Sequence, residues 1–250
     1  MSAAPTTRSD RERVHFDRLA EQTGDVWWGH RTPFGRERLA LRIRLLGALL
    51  ERLDRPRCVE LGCGIGTFSE PLLEAHPALQ LTGIDISPRC VDLARSRLAR
   101  FESAQFLVGD ACELPFPAHS VDVVLGNSVL HHLDLERTLT DVHRVLRPGG
   151  WLWFSEPNML NPQIALEKNL PLFGRWLENS PDETAFVRQL LGRRLRRAGF
   201  DQVSIRPYDF LHPGLPGSLL GPARLVNALL ERTPLVREIA GSLEISARRT

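Results

Sequence analysis

Val59-Glu60-Leu61-Gly62-Cys63-Gly64-Ile65-Gly66-Thr67 is the stretch that decides how this chain folds. An apolar, β-branched run passes into three glycines at alternate positions, the pattern of a strand that turns sharply into a helix. Glycine has no Cβ, so it admits positive φ and lets a ligand approach the backbone. A helix beginning at Thr67 would turn its unpaired N–H groups and positive dipole end toward whatever lies over the loop. A nucleotide-like molecule suits such a loop.

The next stretch sharpens the reading. Gln80-Leu-Thr-Gly-Ile-Asp-Ile-Ser87 reads as a second strand ending in Asp85, 19 positions beyond Gly66. An acidic group at that strand tip is where a ribose diol is usually held, since one carboxylate can accept from both hydroxyls. The glycine spacing is G-x-G-x-G, whereas the dinucleotide fingerprint is G-x-G-x-x-G, which disfavours a nicotinamide-dependent reductase. Taken alone, the loop could be a tight turn, and Asp85-Ile-Ser-Pro88 could be a helix start with Ser87 as N-cap.

Gln105-Phe-Leu-Val-Gly-Asp110-Ala111 follows as a third strand and its turn, then Leu114-Pro115-Phe116, then Ser120-Val-Asp-Val-Val-Leu-Gly-Asn127 as a fourth strand. With Leu146-Arg-Pro-Gly-Gly-Trp-Leu-Trp-Phe154, these motifs resemble, from about Val59 to Pro157, the class I, seven-strand S-adenosylmethionine-dependent methyltransferases of small-molecule type. The resemblance implies that Glu60 and the Gly62/Gly64/Gly66 loop lie along the methionine part of the cofactor and that Asp85 holds the ribose. It further implies that Ile86 packs on adenine, that Asp110 accepts from the adenine amino group, that Ala111 offers its N–H, and that Asn127 stands near the cofactor's amino group. Nucleic-acid amino-methyltransferases commonly carry an Asn/Asp-Pro-Pro-Tyr-like sequence after the fourth strand. Gly126-Asn127-Ser128-Val129 disfavours them here.

At 250 residues the chain can bury an adequate core without disulfides or metals. Strands alternating with helical stretches predict an α/β fold: a doubly wound, mostly parallel seven-strand sheet with an N-terminal helical lid and inserted caps. Helices are expected from about Thr67 to Ala75, Ser87 to Arg100 and Leu135 to Leu146, the last stopped by Pro148-Gly149-Gly150. The expected division is a disordered tail over 1–13, a lid over 14–50 and a methyltransferase domain over 51–250, with acceptor caps at about 157–182 and 212–241. The first cap carries Asn158, Met159, Asn161 and Trp176 at the carboxyl ends of the strands, where ligands collect.

A formal net charge of +2 with interspersed signs argues against a general nucleic-acid grip. Arg193, Arg194, Arg196 and Arg197 fall on a helix whose apolar positions are Phe186, Leu190, Leu191 and Leu195, and read as a solvated face. Cys58, Cys63, Cys90 and Cys112 have no metal-ligand spacing and suggest neither a zinc site nor a disulfide partner. Met1 to Arg13 has no signal-like apolar segment and no apolar run approaches roughly 18 residues, so a reducing cytoplasm is expected.

In the lid, Trp27 or Trp28 would wall off the sulfonium and Arg31 would pair with the cofactor's carboxylate; the alternative is that the tryptophans close the core. His131, His132 and Glu156 are the available general bases, should the acceptor have to lose a proton. A polar helix entrance capped by Asp134 is the competing reading of the His131-His132-Leu133-Asp134 run. Leu219, Leu220, Ala223, Val226, Leu229 and Leu230, then Leu235, Val236 and Ile239, form apolar stripes expected to pack on the sheet. A dimer contact, a greasy-acceptor pocket and a peripheral membrane contact through 219–239 stay open for them. The function expected is methyl transfer to a small-molecule acceptor, secondary-metabolite or lipid/quinone-like, at oxygen or carbon rather than nitrogen. The alternatives are a non-catalytic S-adenosylmethionine-binding regulator and a protein or peptide methyltransferase.

Overall fold

The computed structural model describes residues 7–23, 30–169 and 185–250. Arg57–Leu61 (β1), Gln80–Asp85 (β2), Ala104–Val108 (β3), Val121–Asn127 (β4) and Leu146–Pro157 (β5) run parallel. Ser242–Arg249 (β7) lies antiparallel between β5 and Phe200–Tyr208 (β6), giving the sheet order β3-β2-β1-β4-β5-β7-β6. The seven-strand, doubly wound expectation holds. The helices are Arg8–Thr23 (α1), Pro33–Leu50 (α2), Ser69–Ala75 (α3), Pro88–Arg97 (α4), Leu135–Val145 (α5), Pro162–Asn169 (α6), Arg188–Arg197 (α7), Leu220–Arg232 (α8) and Pro234–Arg237 (α9).

The central strands β1 and β4 are buried along most of their length because helices cover both faces of the sheet. Val59, Leu61, Val124 and Phe154 pack on one face with Leu139, Leu191 and Leu195 of α5 and α7. Cys58, Val123, Leu125 and Trp153 pack on the other with Ile43 and Leu46 of α2 and Leu72 of α3. Strand order reverses between β1 and β4, so the loops leaving their carboxyl ends diverge and open a crevice there.

Local chemistry sets the helix starts. The Ser87 hydroxyl accepts from Cys90 N ahead of Pro88, Asp134 accepts from Arg137 N, and Thr32 accepts from Gly35 N ahead of Pro33. Asp134 is therefore the cap the sequence suggests. At α3 the helix begins at Ser69 rather than Thr67, because Gly66, at φ +79°, closes a tight turn by donating to Cys63 O.

Three expectations are corrected. The tail expected over 1–13 gives way to helix from Arg8: the Thr7 hydroxyl donates to Asp10 Oδ2 at 2.8 Å while accepting from Asp10 N at 3.1 Å, a capping-box arrangement that starts α1. Leu190 is 55 % exposed on α7, whose buried apolar residues are Leu191 and Leu195, and Phe186 precedes the helix. The stripes over 219–239 do not pack on the sheet. On α8 the polar side faces inward: Asn227 Oδ1 accepts from Phe210 N at 2.7 Å, Glu231 Oε1 accepts from Asp209 N at 2.9 Å, and Arg224 pairs with Glu37. Leu225, Val226 and Leu229 are left turned outward, 76, 54 and 66 % exposed. Among the described residues, no helix is long and apolar enough to cross a membrane.

Candidate active site

The crevice at the β1/β4 reversal is a cavity of about 1090 Å³. Its floor is the loop after β1. Gly64 lies at φ +53°, and a Cβ there would meet nothing within 4 Å, so its bare backbone faces open cavity. Its N–H donates to Asp85 Oδ2 at 2.8 Å, tying the tips of β1 and β2 together. Gly66 serves another purpose: a Cβ on it would lie 2.6 Å from Leu98 Cδ1, so this glycine lets the loop sit against α4 and does not line the cavity. Gly62 does line it.

The carboxylates expected from the sequence meet there. Asp85 Oδ1 accepts from Ser87 N at 2.9 Å; burial raises its pKa above the usual aspartate range, while backbone donors from Ser87 and Gly64 pull it back. Asp110 Oδ1 accepts from Cys112 N at 2.8 Å, and Ile86 and Ala111 line the same stretch. Glu60 is 1 % exposed and accepts from the Ser69 hydroxyl at 2.5 Å. Loss of hydration pushes its pKa up to about 8, opposed by the Ser69 hydrogen bond and aided by the nearby Asp85 charge. Asn127 Oδ1 is buried in the lining with no hydrogen-bond partner among the described residues.

Beyond β4 the chain makes a single 3₁₀ turn over Leu130–His132. Val129 N and Leu130 N both donate to Glu156 Oε1 at 2.9 Å, and His131 Nδ1 lies 2.6 Å from Glu156 Oε2. Both histidines are buried and line the cavity. Glu156 lies behind them, off the lining, with both oxygens engaged; it holds the loop and His131, which corrects its expected role as a base facing substrate. Among the described residues, no cluster of histidine, cysteine and acidic side chains could hold a metal ion, and all four cysteines are free thiols.

Helix α1 lies across three strand tips. Asp17 Oδ1 accepts from the Ser87 hydroxyl at 2.5 Å beyond β2, and Ser9 Oγ reaches Asp110 Oδ2 at 3.4 Å beyond β3. Beyond β4, Arg8 donates to His131 O at 2.9 Å and Glu12 Oε2 stands 3.1 Å from His132 Nδ1, with the Phe16 ring edge-on to His132. Sequence reading missed these residues, although Thr7-Arg8-Ser9-Asp10 carries the capping signal for their helix. Trp27 and Trp28 lie outside the described residues. Arg31 is exposed and off the cavity lining, which corrects its expected pairing with a cofactor carboxylate; Arg38 and Arg42 of α2 reach the lining instead. Of the caps, Asn161, Gln163, Ile164, Glu167 and Lys168 line the cavity, as do Phe210, Leu211, His212 and Pro213, while 170–182 lies outside the described residues.

S-adenosylmethionine fits what is present. A Cβ-free floor at Gly64, carboxylates at Asp85 and Asp110 spaced along successive strand tips, and an orphaned acceptor at Asn127 match the backbone, ribose, adenine and ammonium of that molecule. Fold and site together have the form of a class I S-adenosylmethionine-dependent methyltransferase.

Residues 59–154 match the methyltransferase domain family. The chain is similar, at 28 % identity over 172 residues (61 % of this chain and 70 % of the relative), to the demethylmenaquinone methyltransferase of Staphylococcus aureus. An S-adenosylmethionine-dependent methyltransferase from Thermotoga maritima shares its fold with a TM-score of 0.67 at 21 % identity, covering 95 % of this chain and 99 % of that one. The phosphoethanolamine N-methyltransferase 2 of Haemonchus contortus, solved with phosphomonomethylethanolamine and S-adenosylhomocysteine, gives a TM-score of 0.64 at 15 % identity, covering 95 % of this chain and 59 % of that one.

Proposed function

We propose that this enzyme methylates a small, largely apolar acceptor of phenol or quinol type, at oxygen or ring carbon, with His131 as general base. The observation that carries the reading is the buried pairing of His131 Nδ1 with Glu156 Oε2 at 2.6 Å, in the wall of the cavity that holds the cofactor loops. Phe186, Ile164, Phe210 and Leu211 supply apolar wall on the acceptor side, and the similarity to a demethylmenaquinone methyltransferase supports the same class.

When bound, the cofactor supplies a methyl group on a positively charged sulfur. The remaining chemistry is orientation and one proton. With Glu156 accepting from Nδ1–H, the basic nitrogen of His131 is Nε2. It takes the proton of the acceptor hydroxyl as the methyl carbon bonds to oxygen, or to the ring carbon made nucleophilic by that deprotonation. His132, held by Glu12, shapes the neighbouring wall, and α1 acts as the lid that excludes water from the site.

The test is transfer of a radiolabelled methyl group from S-adenosylmethionine to a panel of hydroquinones, catechols and phenols, read in the organic extract. His131→Gln should lower kcat by about 100-fold and leave S-adenosylhomocysteine affinity unchanged. Label appearing in none of the panel refutes the acceptor class, and unchanged turnover in the variant refutes the base.

A further inference from the structure

Single apolar side chains on a surface need no explanation, but a gathered set does. Leu225 and Leu229 on α8, Leu235 on α9, Ile239 just after it, and Leu160 and Leu166 of the first cap are each at least 40 % exposed. They belong to one rim. Asn161 Nδ2 donates to Ile239 O at 2.9 Å, Asn158 Nδ2 donates to Glu238 O at 2.8 Å, and Gln163 Nε2 lies 3.0 Å from His212 Nε2. The inner side of that rim is cavity wall, where Ile164 of α6 stands with Phe210 and His212 ahead of α8. The outward leucines are thus carried by the same segments that wall the reaction chamber.

The polar side chains of the second cap are engaged on its inward side. Asn227 and Glu231 hold the backbone of Phe210 and Asp209, Arg224 pairs with Glu37, and Glu238 Oε2 lies 2.8 Å from Arg188 Nε. Arg232 is different. Seven positions after Leu225 and three after Leu229, it shares their outward stripe, is exposed, and has no ion pair among the described residues. An apolar stripe that carries a guanidinium and no acid matches a surface that is greasy beneath and negative on top, the profile of a bilayer bearing anionic headgroups. Leucines sink to the acyl boundary of such a surface while a guanidinium reaches its phosphates. A second copy of the chain would cover the leucines but bring only the same acid-free stripe to Arg232. No described helix is long and apolar enough to span, so the contact is one that lies on the surface.

We propose that the outer face of the caps formed by α6 and by α8 with α9 is a docking surface for a phospholipid bilayer containing anionic lipid, which holds the cavity wall against the membrane surface. The docking stands on these residues alone. Its purpose, drawing an apolar acceptor out of the bilayer, rests on the phenol or quinol reading of the acceptor.

Co-sedimentation of the full chain with vesicles of phosphatidylcholine, with and without phosphatidylglycerol, tests it. The unmodified protein should pellet more strongly with the mixed vesicles than with phosphatidylcholine alone, and less so at high salt. Leu225→Glu with Leu229→Glu should weaken binding to the mixed vesicles by at least about 10-fold. Arg232→Gln should cost roughly 5-fold on the mixed vesicles, the loss of one charge near an anionic surface, and nothing on phosphatidylcholine. If the double variant does not fold, Leu235→Glu decides in its place, since that side chain is 86 % exposed. Failure of the unmodified protein to pellet with either vesicle overturns the proposal, as does undiminished binding by the folded leucine variants, which would put the contact elsewhere on the chain. A dimer in vesicle-free solution that the same variants dissociate overturns it in favour of a second copy. A methyl-transfer panel that stays unlabelled while the protein pellets normally is a different failure, which removes the acceptor reading and leaves the docking in place.

Discussion

Glu60 makes the stability of the ligand-free enzyme depend on pH in the direction opposite to an ordinary surface carboxylate. Its pKa stands at about 8 in the fold against an ordinary 4.5, with burial as the main cause. The folded state therefore holds a proton that the unfolded chain releases once the pH passes 4.5, and unfolding gains driving force as pH climbs. The contribution is complete below 4.5, declines across the window between the two values and is gone above about 8. With the side chain 1 % exposed, solvent offers little screening. A shift of about 3.5 units at 1.36 kcal/mol each gives roughly 5 kcal/mol in all, of which about 4 kcal/mol is lost between pH 5 and 8.5. For a chain of this length that is a fall in Tm of roughly 10 °C. Glu60→Gln keeps the shape and an acceptor for the Ser69 hydroxyl but cannot ionise. Denaturant melts of both proteins at pH 5 and 8.5 should show the unmodified protein losing about 4 kcal/mol relative to the variant. Comparing the two cancels the parallel contribution of Asp85. Parallel pH profiles would refute the assignment of a protonated carboxyl at this position.

Two further outcomes follow from the geometry. Gly64→Ala should cost only about 1–2 kcal/mol, from forcing an alanine to φ +53°, yet abolish S-adenosylhomocysteine binding by calorimetry; Gly66→Ala, whose Cβ would clash with Leu98, should lower Tm far more. If the two variants are equally destabilised, the division between a ligand-facing and a packing glycine is wrong. Leu225→Glu with Leu229→Glu should change stability by no more than about 0.5 kcal/mol per site, because both side chains are turned outward. Vesicle co-sedimentation before and after that change reports whether the outward stripe meets a lipid surface, and a Tm drop of 10 °C in the double variant would show that it is buried instead.

The sheet was legible because its signals are local. β1, β2 and β4 are short, mostly apolar segments ended by Gly62, Asp85 and Asn127, and Ser87 and Asp134 mark helix starts by a mechanism readable in four residues. Periodicity over 219–239 told of a helix with an apolar side, but not which side it would turn inward. That was settled by Asn227 and Glu231 finding the backbone of Phe210 and Asp209, residues distant enough in sequence to leave no trace in a helical wheel. Arg42 was hidden for the same reason. Among Arg36, Arg38 and Arg44 it reads as one more solvated arginine, and only the folding of β5 and β6 beneath α2 puts Ser155 and Tyr208 under it. Glu156 was found as a residue but given the wrong task, since two donors from the loop after β4 claim one of its oxygens.

Helix α1 is fastened to loops beyond β2, β3 and β4 by side chains that begin at Arg8. An affinity tag placed just ahead of Thr7, or a truncation that trims a turn from this end, would thus disturb the loops that line the cavity while leaving the sheet intact. Recombinant material handled that way would melt normally and turn over poorly, so purification handles belong after Thr250.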